Sequence, residues 1–390
     1  MNTHFTLAEI HLQLKRWPAE TNFINLQAWD AVDELLLTEA FRQLEMLSVS
    51  ERSALPVLLL NDQFGALTCA LIARYPELTL VHSSDSYISQ QACLANLQLN
   101  QLATKQLTFI DSLAPLPDSA ALTLLRVPRD HGFLGFQLQQ LAPLITNSQQ
   151  LIVAARARDI HKNLLQLFSQ HIGPSKASLA IRKCRYLHCQ PAAVQQKPQS
   201  LWPKIWPLTG TGLQLVNHAN VFSGEKLDVG ARFFLQHLPE TQAGEQLVDL
   251  GCGNGVLGLS ALAANTELVV TFCDESAMAV ASAQQSVQLS LPKLLPNCTF
   301  LQDDGLSKLA DQSMNWVLCN PPFHQQDTVT THLARQMFTD AFRALKPGGK
   351  LRIVANRHLP YAQELTQLFG GVRCLASHPK FVILESERRR

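Results

Sequence analysis

The sequence predicts an α/β protein built from two tandem, doubly wound Rossmann-like domains, in which the N-terminal domain is a degenerate copy of the C-terminal one. Apolar segments with the length of strands alternate with helical segments along the chain, which indicates parallel sheets covered by helices. Landmark residues of the first half recur in the second half at a nearly constant spacing. The chain has 390 residues, more than one hydrophobic core usually holds.

The first half predicts a capping segment followed by alternating strands and helices. Residues 1–50 contain a short strand-like piece and then a helical pattern at 26–47, where apolar residues recur every three or four positions. An apolar run at 55–60 passes through a turn into a helix. Further strands are predicted at 78–82, 107–110, 122–127 and 150–155.

The second half repeats these landmarks. The matched pairs share their place relative to a predicted strand: Gly65 and Gly255, Asp85 and Asp274, Pro128 and Pro321, and the segments 151–156 and 352–357. The offset drifts only from 189 residues (85 to 274) to 201 residues (156 to 357). Tandem duplication is the simplest explanation, although two unrelated doubly wound domains could align in a similar way.

The two copies differ where a cofactor and a substrate would bind. Segment 61–65 keeps one of the three glycines of segment 251–255, and segment 127–130 reads VPRD where 320–323 reads NPPF. The first copy is therefore expected to have kept the scaffold and lost the chemistry. The stretch 189–200 is poor in apolar residues and contains two prolines, as linkers do. We predict domains at 1–189 and 206–390, joined by a linker at 190–205.

Composition narrows the class of protein. Apolar residues make up 46% of the chain and the net charge is +1, so both domains can bury a core and any RNA contact must come from local basic patches. Nine cysteines without a CxxC pair indicate reduced thiols and a cytoplasmic protein. No apolar run approaches 18 residues and no histidines have metal-ligand spacing, so we expect neither a membrane segment nor a metal site.

Segment 249–255, DLGCGNG, predicts a cofactor-binding turn between a strand and a helix. Gly251 and Gly253 allow a ligand to approach the backbone, because a Cβ at either position would collide with it. We place Asp249 and Asn254 in the same cofactor-binding loop. The amino terminus of the following helix offers N–H groups to an anionic group such as a carboxylate. A GxG turn is weak evidence by itself, since an ordinary strand–helix turn can contain it.

Acidic residues at the ends of the next two predicted strands point to a nucleotide cofactor. Asp274 ends the second strand and can accept hydrogen bonds from ribose hydroxyls. Asp303 and Asp304 follow the third strand and could reach an adenine amino group, and we favour Asp304. A dinucleotide enzyme would normally have a third glycine at position 256, which is Val256 here. The spacing therefore favours S-adenosylmethionine over NAD.

Segment 320–323, NPPF, predicts the class of reaction. The exocyclic amino group of a base is a poor nucleophile, because its lone pair is delocalised into the ring. If the Asn320 side-chain oxygen and the Pro321 carbonyl each accept one N–H, the lone pair turns out of the plane and can attack a sulfonium methyl. Phe323 offers a face on which the base can stack. A plain strand-ending turn is the alternative interpretation of this segment.

Four segments together carry a specific resemblance: 221–230 (VFSGEKLDVG), DLGCGNG, CNPPFHQQ and 352–361 (RIVANRHLPY). Across essentially its whole length, the chain resembles the duplicated-domain RsmC/RlmG family of bacterial ribosomal RNA (guanine-N2)-methyltransferases. Segment 25–34, NPPFHQQ and ANRHL resemble the large-subunit branch more than the small-subunit branch. The resemblance implies class I methyltransferase domains, S-adenosylmethionine as cofactor and N2-methylguanine in 23S rRNA as product. It also implies that the N-terminal copy is inactive and helps to bind RNA.

The resemblance assigns further residues. Phe222 and Asp228 would close over the cofactor, although Asp228 can equally be a helix cap. Pro322, His324 and Arg357 are predicted to contact the substrate. The acidic pair at 303–304 departs from the family, which often has an asparagine there.

RNA phosphates are expected to meet some of the basic residues. The candidates are Arg156, Arg158, Lys162, Lys176, Arg182, Lys183 and Arg185 in the first domain and Arg343, Lys346, Lys350, Arg352, Arg357 and Arg388–Arg390 in the second. Three alternatives stay open: the same reaction on 16S rRNA, methylation of adenine N6 or a protein glutamine, and a non-catalytic RNA-binding or assembly protein. The intact GCGNG and NPPF segments argue against the last. We expect a monomer.

Overall fold

The computed structural model describes residues 2–18, 26–192, 201–322 and 328–389, with the backbone alone at 328–331. The chain divides into two compact units, Met1–Leu201 and Trp202–Arg390. The predicted linker at 190–205 falls partly outside the described residues, and a strand already begins at Lys204.

The N-terminal unit alternates strands and helices as predicted. Its strands are β1 (His4–Leu7), β2 (Ile10–Gln13), β3 (Val57–Leu60), β4 (Leu80–Ser83), β5 (Leu107–Ile110), β6 (Leu122–Arg126), β7 (Leu151–Arg156), β8 (Ser175–Ala177) and β9 (Cys184–Cys189). Its helices are α1 (Ala31–Leu44), α2 (Val49–Ala54), α3 (Ala66–Arg74), α4 (Tyr87–Leu99), α5 (His131–Leu141) and α6 (Lys162–His171). The predicted helix at 26–47 is thus shorter, because the Asp30 side chain caps its start.

The C-terminal unit has the same succession of elements. Its strands are β10 (Lys204–Pro207), β11 (Gln214–Asn217), β12 (Gln246–Leu250), β13 (Val269–Asp274), β14 (Cys298–Gln302), β15 (Met314–Cys319), β16 (Leu345–Asn356), β17 (Arg373–Ser377) and β18 (Phe381–Glu387). Its helices are α7 (Val229–Leu235), α8 (Val256–Ala264), α9 (Ala277–Ser290), α10 (Thr328–Ala344) and α11 (Tyr361–Phe369).

Over the described residues, each unit contains a seven-stranded sheet with the same strand order. The orders are β5-β4-β3-β6-β7-β9-β8 and β14-β13-β12-β15-β16-β18-β17. The first five strands of each sheet are parallel, whereas β9 and β18 run antiparallel to their neighbours. The predicted pair of Rossmann-like α/β domains is confirmed, and each predicted parallel sheet is in fact mixed at one side.

Burial explains why apolar runs predicted the central strands so well. Every residue of β3 and β6 is buried, as expected for parallel strands that carry helices on both faces. Gly65 and Gly255 both begin the helix after the first central strand with a left-handed backbone, at φ 79° and 80°. A Cβ on Gly255 would lie 2.9 Å from the Cβ of Ala283, so a close contact between helices requires glycine there.

A feature that the sequence did not predict extends the duplication. Each unit has a two-stranded hairpin, β1–β2 or β10–β11, whose backbone is bonded to the helix that follows the second parallel strand. In the N-terminal unit Asn96 of α4 and Asn100, the residue that ends this helix, accept the N–H groups of Lys15 and Gln13. In the C-terminal unit serines of α9 serve instead, as Ser286 accepts the N–H of Val216 at 2.9 Å.

Candidate active site

The loop after β12 forms a cradle at the carboxyl edge of the C-terminal sheet. Gly251 and Gly253 adopt left-handed backbone angles, at φ 70° and 54°, which other residues rarely adopt. The N–H groups of Gly251 and Cys252 bond to the carbonyl of Cys273, so the loop is tied to β13. A Cβ on Gly253 would meet no atom within 4 Å, so open space lies beside this part of the loop.

Asp274 holds the same loop from the end of β13. Its two carboxylate oxygens accept the N–H groups of Gly253 and Ser276, each at 3.0 Å. The side chain is half-buried, so it remains within reach of a ligand in the cradle. The predicted position of Asp274 beside the glycine turn is therefore what the structure has, and its contact with ribose remains a prediction.

Asp249 lies inside the domain under the loop. Its side chain is buried and accepts the N–H of Gly258 in the first turn of α8 at 2.8 Å. Burial raises the pKa of Asp249 to about 7; the Gly258 hydrogen bond opposes this rise and the charge of Asp274 adds to it. The carboxyl group can therefore exchange a proton near neutral pH.

Asn254 ties the loop after β12 to the hairpin formed by β10 and β11. Its Nδ2 donates to Oδ1 of Asn217, at the end of β11, at 2.9 Å, and its Oδ1 accepts the N–H of Val256. Asn217 is fully buried. Sequence reasoning missed Asn217, because an isolated asparagine 37 residues from its partner gives no pattern that could indicate the contact.

The acidic pair after β14 divides into two roles. Both carboxylate oxygens of Asp303 are engaged within its own loop, by the N–H of Asp304, the hydroxyl of Ser307 and the N–H of Lys308. Oδ1 of Asp304 accepts a hydrogen bond from Gln336 of α10 at 3.0 Å. The contacts of Asp303 make it a loop-stabilising residue, which leaves Asp304 as the candidate for an adenine amino group.

Asn320 lies directly after β15, at the same carboxyl edge. Its side-chain oxygen Oδ1 is buried and has no hydrogen-bond donor among the described residues. Buried polar atoms are nearly always paired, so an orphaned acceptor at a strand end indicates a place for a ligand donor. Pro321 is buried and Pro322 half-buried, while Phe323 and His324 lie outside the described residues.

The segment between β11 and α7 contains one exposed aromatic residue and one helix cap. Phe222 is 63% exposed in the loop after β11. Asp228 caps α7, where its Oδ2 accepts the N–H of Ala231 at 3.0 Å. The helix-cap interpretation of Asp228 is thus correct, and its contact with a cofactor remains a prediction.

Arg357 follows β16 and holds a neighbouring turn. Its Nη2 donates to the carbonyl of His378 at 3.1 Å and to the hydroxyl of Ser377. The side chain is exposed at the same edge as Asn320. A substrate contact by Arg357 therefore remains a prediction.

In the N-terminal unit, Asn61 and Gln63 take the places of two glycines of the cradle, Gly251 and Gly253. Asn61 stands in the place of Gly251 with a left-handed φ of 65°. Its amide exchanges two hydrogen bonds with Gln137 of α5, at 2.9 and 3.0 Å, and also donates to the carbonyl of Arg126. The scaffold is therefore kept without a cradle.

The strand registers align Leu125 with Cys319, so the first copy has the buried Arg126 where the second copy has Asn320. The guanidinium of Arg126 donates to both oxygens of Asp30 at 2.8 Å and to Asp33 at 2.7 Å. Burial opposes ionisation of Asp30, but Arg126 outweighs it and holds the pKa of Asp30 below its usual range. This ion-pair network ties α1 to the end of β6.

A cavity of about 650 Å³ occurs in the N-terminal unit, but at the other edge of its sheet. It lies between α1 and the start of β7, and its lining includes Arg42, Lys176, Tyr186 and His188. This is the end of the sheet opposite to Asn61. The cavity is therefore not a remnant of a cofactor site.

Several basic residues that the sequence suggested for RNA binding serve the fold instead. Arg352 pairs with the buried Glu385, and Lys346 donates to Asn315 Oδ1 at 2.9 Å. Arg388 Nη1 donates to the carbonyls of Phe342, Arg343 and Leu345, which closes the end of α10. Lys346 and Lys350 also lie near the start of β16, at the edge opposite Asn320. Arg390 lies outside the described residues.

In the N-terminal unit the exposed basic residues gather at the carboxyl edge. Arg156 pairs with Asp30 and Arg182 with Glu34, while Arg158 lies 3.6 Å from Asp159. Lys162 and Lys183 are exposed near the same strand ends, and no carboxylate partner is found for them among the residues described. Lys176 lies at the opposite edge, in the lining of the cavity.

Three further observations concern thiols, metals and membranes. All nine cysteines are free thiols. Over the part of the chain that the structure covers, no group of three or more histidine, cysteine or acidic side chains could hold a metal ion. Within the same residues, no helix is both long and apolar enough to cross a membrane.

The comparisons agree with this geometry. Residues 2–193 match the family described as the RLMG N-terminal domain, and residues 212–385 match the methyltransferase small domain. The chain is 47% identical to the ribosomal RNA large subunit methyltransferase G of Pectobacterium atrosepticum, over 97% of both chains. It is 45% identical to that of Aeromonas salmonicida, over 100% of both.

A solved structure shares the complete fold. The 16S rRNA N2 methyltransferase RsmC of T. thermophilus, solved with AdoMet and guanosine, superposes with a TM-score of 0.73 at 20% identity, covering 99% of this chain and 98% of that one. Fold and cradle together define a methyltransferase with two Rossmann-like domains. Within that class, the chain belongs to the ribosomal RNA large subunit methyltransferase G family.

Proposed function

We propose that this protein transfers a methyl group from S-adenosylmethionine to the exocyclic N2 of a guanine in 23S rRNA. The observation that carries the proposal is the buried Oδ1 of Asn320, which has no donor among the described residues and lies at the carboxyl edge of the sheet, beside the glycine cradle. The choice of large-subunit RNA rests on the relatives' names, and the choice of guanine N2 rests on the resemblance of the four sequence segments.

The cradle fits the cofactor. Open space beside Gly253 admits a ligand against the backbone, and Asp274 holds a carboxylate at the next strand end. Asp304, with Oδ1 fixed by Gln336, would accept from the adenine amino group. Phe222 and Asp228 would border the cofactor from the loop before α7. Bound there, S-adenosylmethionine supplies an electrophilic methyl group on a cationic sulfur.

Asn320 and Pro321 position the nucleophile. The Asn320 oxygen and the Pro321 carbonyl each accept one N–H of the guanine amino group, which directs the nitrogen lone pair toward the methyl donor. The new N–C bond forms as the sulfur–methyl bond breaks, and the nitrogen then releases one proton to water. Neutral Asn320 orients the amino group and does not deprotonate it beforehand. Phe323 would stack on the base, with Pro322, His324 and Arg357 around it.

The first copy would present RNA to the second. Its Asn61 stands in the place of Gly251 and bonds to Gln137, while Lys162 and Lys183 are exposed at the same edge of its sheet. Cations without a carboxylate partner attract phosphates and bind RNA without reading its sequence. We further propose a cytoplasmic monomer, and the free thiols of all nine cysteines fit a reducing compartment.

The test is transfer of labelled methyl from S-adenosylmethionine to deproteinised 23S rRNA, 16S rRNA and intact subunits, followed by nucleoside analysis. We expect N2-methylguanosine in 23S rRNA. Label in 16S rRNA alone would reject the large-subunit assignment. Label in N6-methyladenine or in protein glutamine would reject guanine N2 as the acceptor, and binding of RNA without transfer would support a non-catalytic protein.

A single substitution tests the role of Asn320. Asn320→Ala removes one acceptor for the amino group, and we expect turnover to fall by about 100-fold or more, as for loss of a preorganised polar group in other active sites. The affinity for S-adenosylmethionine should change little. Loss of cofactor binding in this variant would contradict the assigned role.

A further inference from the structure

A basic surface lies next to Asn320 on the side away from the acidic cofactor residues. It consists of Arg357 after β16, and of His378 and Lys380 in the turn between β17 and β18. Because β18 runs antiparallel to β16, this turn lies at the carboxyl edge of the sheet. We name Arg357, His378 and Lys380 the β16–β18 edge.

Charge separates this surface from the cofactor side of the same edge. The neighbouring segments 229–238, 354–360 and 374–383 contain three cations, Arg232, Arg357 and Lys380, and no acidic residue. The ends of β13 and β14, in contrast, carry Asp274, Asp303 and Asp304. Arg357 and Lys380 are exposed, and neither has a carboxylate partner among the described residues.

The β16–β18 edge is held rigidly. The N–H of Arg357 donates to the carbonyl of Lys380 at 3.1 Å, and its guanidinium donates to the carbonyl of His378 at 3.1 Å. The His378 ring lies between Phe233 and Phe381, with centroids at 5.5 and 6.0 Å. Its Nδ1 accepts the N–H of Lys380 at 3.3 Å. A fixed turn loses little conformational entropy when it binds a ligand.

The register places this edge beside the reacting group. Cys319 pairs with Ile353 on β16, and Asn356 pairs with Phe381 on β18. Neighbouring strands are about 5 Å apart and rise about 3.3 Å per residue, and Arg357 lies three residues beyond the level of Asn320, so Arg357 and Lys380 lie roughly 11 and 14 Å from Asn320. A polymer whose target base enters at Asn320 must place its adjoining residues within this distance.

We propose that the β16–β18 edge binds the phosphates of the single-stranded RNA that flanks the target guanine, with Lys380 as a phosphate contact. The inference rests on the proposed function, because an RNA substrate supplies the phosphates. A base turned out of its stack leaves its own strand extended at the mouth of the site. Placing the phosphates here keeps them away from Asp274 and Asp304, which face the cofactor.

The experiment measures binding of deproteinised 23S rRNA by the full-length protein over a range of salt concentrations. Lys380→Gln keeps the length of the side chain and removes its charge. We expect weaker binding and a slope of log affinity against log salt that is smaller by about 0.7 to 0.9, the change for one lost phosphate contact. The KM for RNA should rise, while the turnover rate and the affinity for S-adenosylmethionine stay at wild-type values.

Lys293→Gln is the matched control. Lys293 is also an exposed lysine of the C-terminal unit, but it precedes β14 and lies at the opposite edge of the sheet. A wild-type salt slope in Lys380→Gln, or an equal loss in both variants, would overturn the inference. Failure of the wild-type protein to make N2-methylguanosine would instead reject the proposed reaction, and the binding measurement does not depend on that result.

Discussion

Asn320 shows how one residue can give up stability for chemistry. The buried Oδ1 of Asn320 has no donor within the described part of the chain, and an acceptor left in this state costs about 1–3 kcal/mol, which an N–H from a ligand would recover. Asn320→Ala should therefore unfold at the same temperature as the wild type or higher, although it loses turnover. A large fall in melting temperature would indicate that Asn320 supports the fold and would undermine its assignment to the substrate.

Asp249 predicts a pH dependence of cofactor binding. With its pKa raised by burial to about 7, this carboxyl is partly protonated at neutral pH. A cationic ligand such as S-adenosylmethionine favours the ionised form, so binding releases a proton and the affinity should rise between about pH 6 and pH 8. Calorimetry in buffers of different ionisation enthalpy measures this release.

The control for Asp249 is its uncharged isostere. Asp249→Asn can still accept the N–H of Gly258 and should bind the cofactor more weakly, with little dependence on pH. Stability should respond in the opposite sense to ligand binding. Because the folded protein holds the proton more tightly than the unfolded chain, wild-type stability from this group is present at low pH and falls as the pH rises toward 7. An unchanged pH profile in Asp249→Asn would assign the dependence to another group.

At the scale of elements, the end of α10 depends on a residue from the far end of the chain. Arg388 donates to three terminal carbonyls of this region, at 2.7 to 2.9 Å. Arg388→Ala should therefore reduce the free energy of unfolding by about 1–3 kcal/mol, the range for hydrogen bonds from a charged group. Chemical denaturation measures this loss.

Arg389 provides the neighbouring control. It is exposed, and Arg389→Ala should change stability by less than about 0.5 kcal/mol. Equal losses of stability in Arg388→Ala and Arg389→Ala would indicate that the positive charge of this segment stabilises the protein. The hydrogen bonds of Arg388 would then contribute nothing measurable.

How far the elements could be predicted depended on their burial. The run at 122–127 predicted β6 to within one residue, because this central parallel strand is apolar on both faces. The run at 107–110 matched β5, a partly buried strand at the edge of the sheet. The exposed edge strand β17 has no such run, so it was not predicted. The basic residues of the C-terminal unit could not be sorted by sequence either, since Arg352 differs from Arg357 only in its folded partners, Glu385 and Ser377.

Site residues were predictable where a backbone requirement or a motif marked them. Gly251, Gly253, Asp274 and Asn320 converge on one edge, as the strand ends predicted. Asn217 and Gln336 were not found, because each acts through another side chain that is distant along the chain. Contacts of this kind depend on the packing of complete elements and leave no local pattern.

At the scale of the whole molecule, the two copies predict a binding stoichiometry. Only the C-terminal copy keeps the glycine cradle, so titration should give one S-adenosylmethionine per chain. Asp274→Ala should weaken that binding, because its carboxylate holds the Gly253 N–H at 3.0 Å. Asn61→Ala changes the equivalent position of the N-terminal copy. It should leave the affinity for S-adenosylmethionine and the binding stoichiometry unchanged. A second equivalent of cofactor would contradict the view that the first copy is inactive.

The Asn61–Gln137 pair also affects how the first domain can evolve. Each amide satisfies the other, so reverting Asn61 to glycine alone would leave Gln137 buried with lost partners and an unfilled gap beside it. Replacing Gln137 alone would likewise leave the Asn61 amide without its two hydrogen bonds to Gln137. Changing either residue alone therefore passes through a less stable protein, and Gln63 would also have to become glycine to restore the cradle. The pair therefore makes the loss of the glycine cradle from the first domain difficult to reverse.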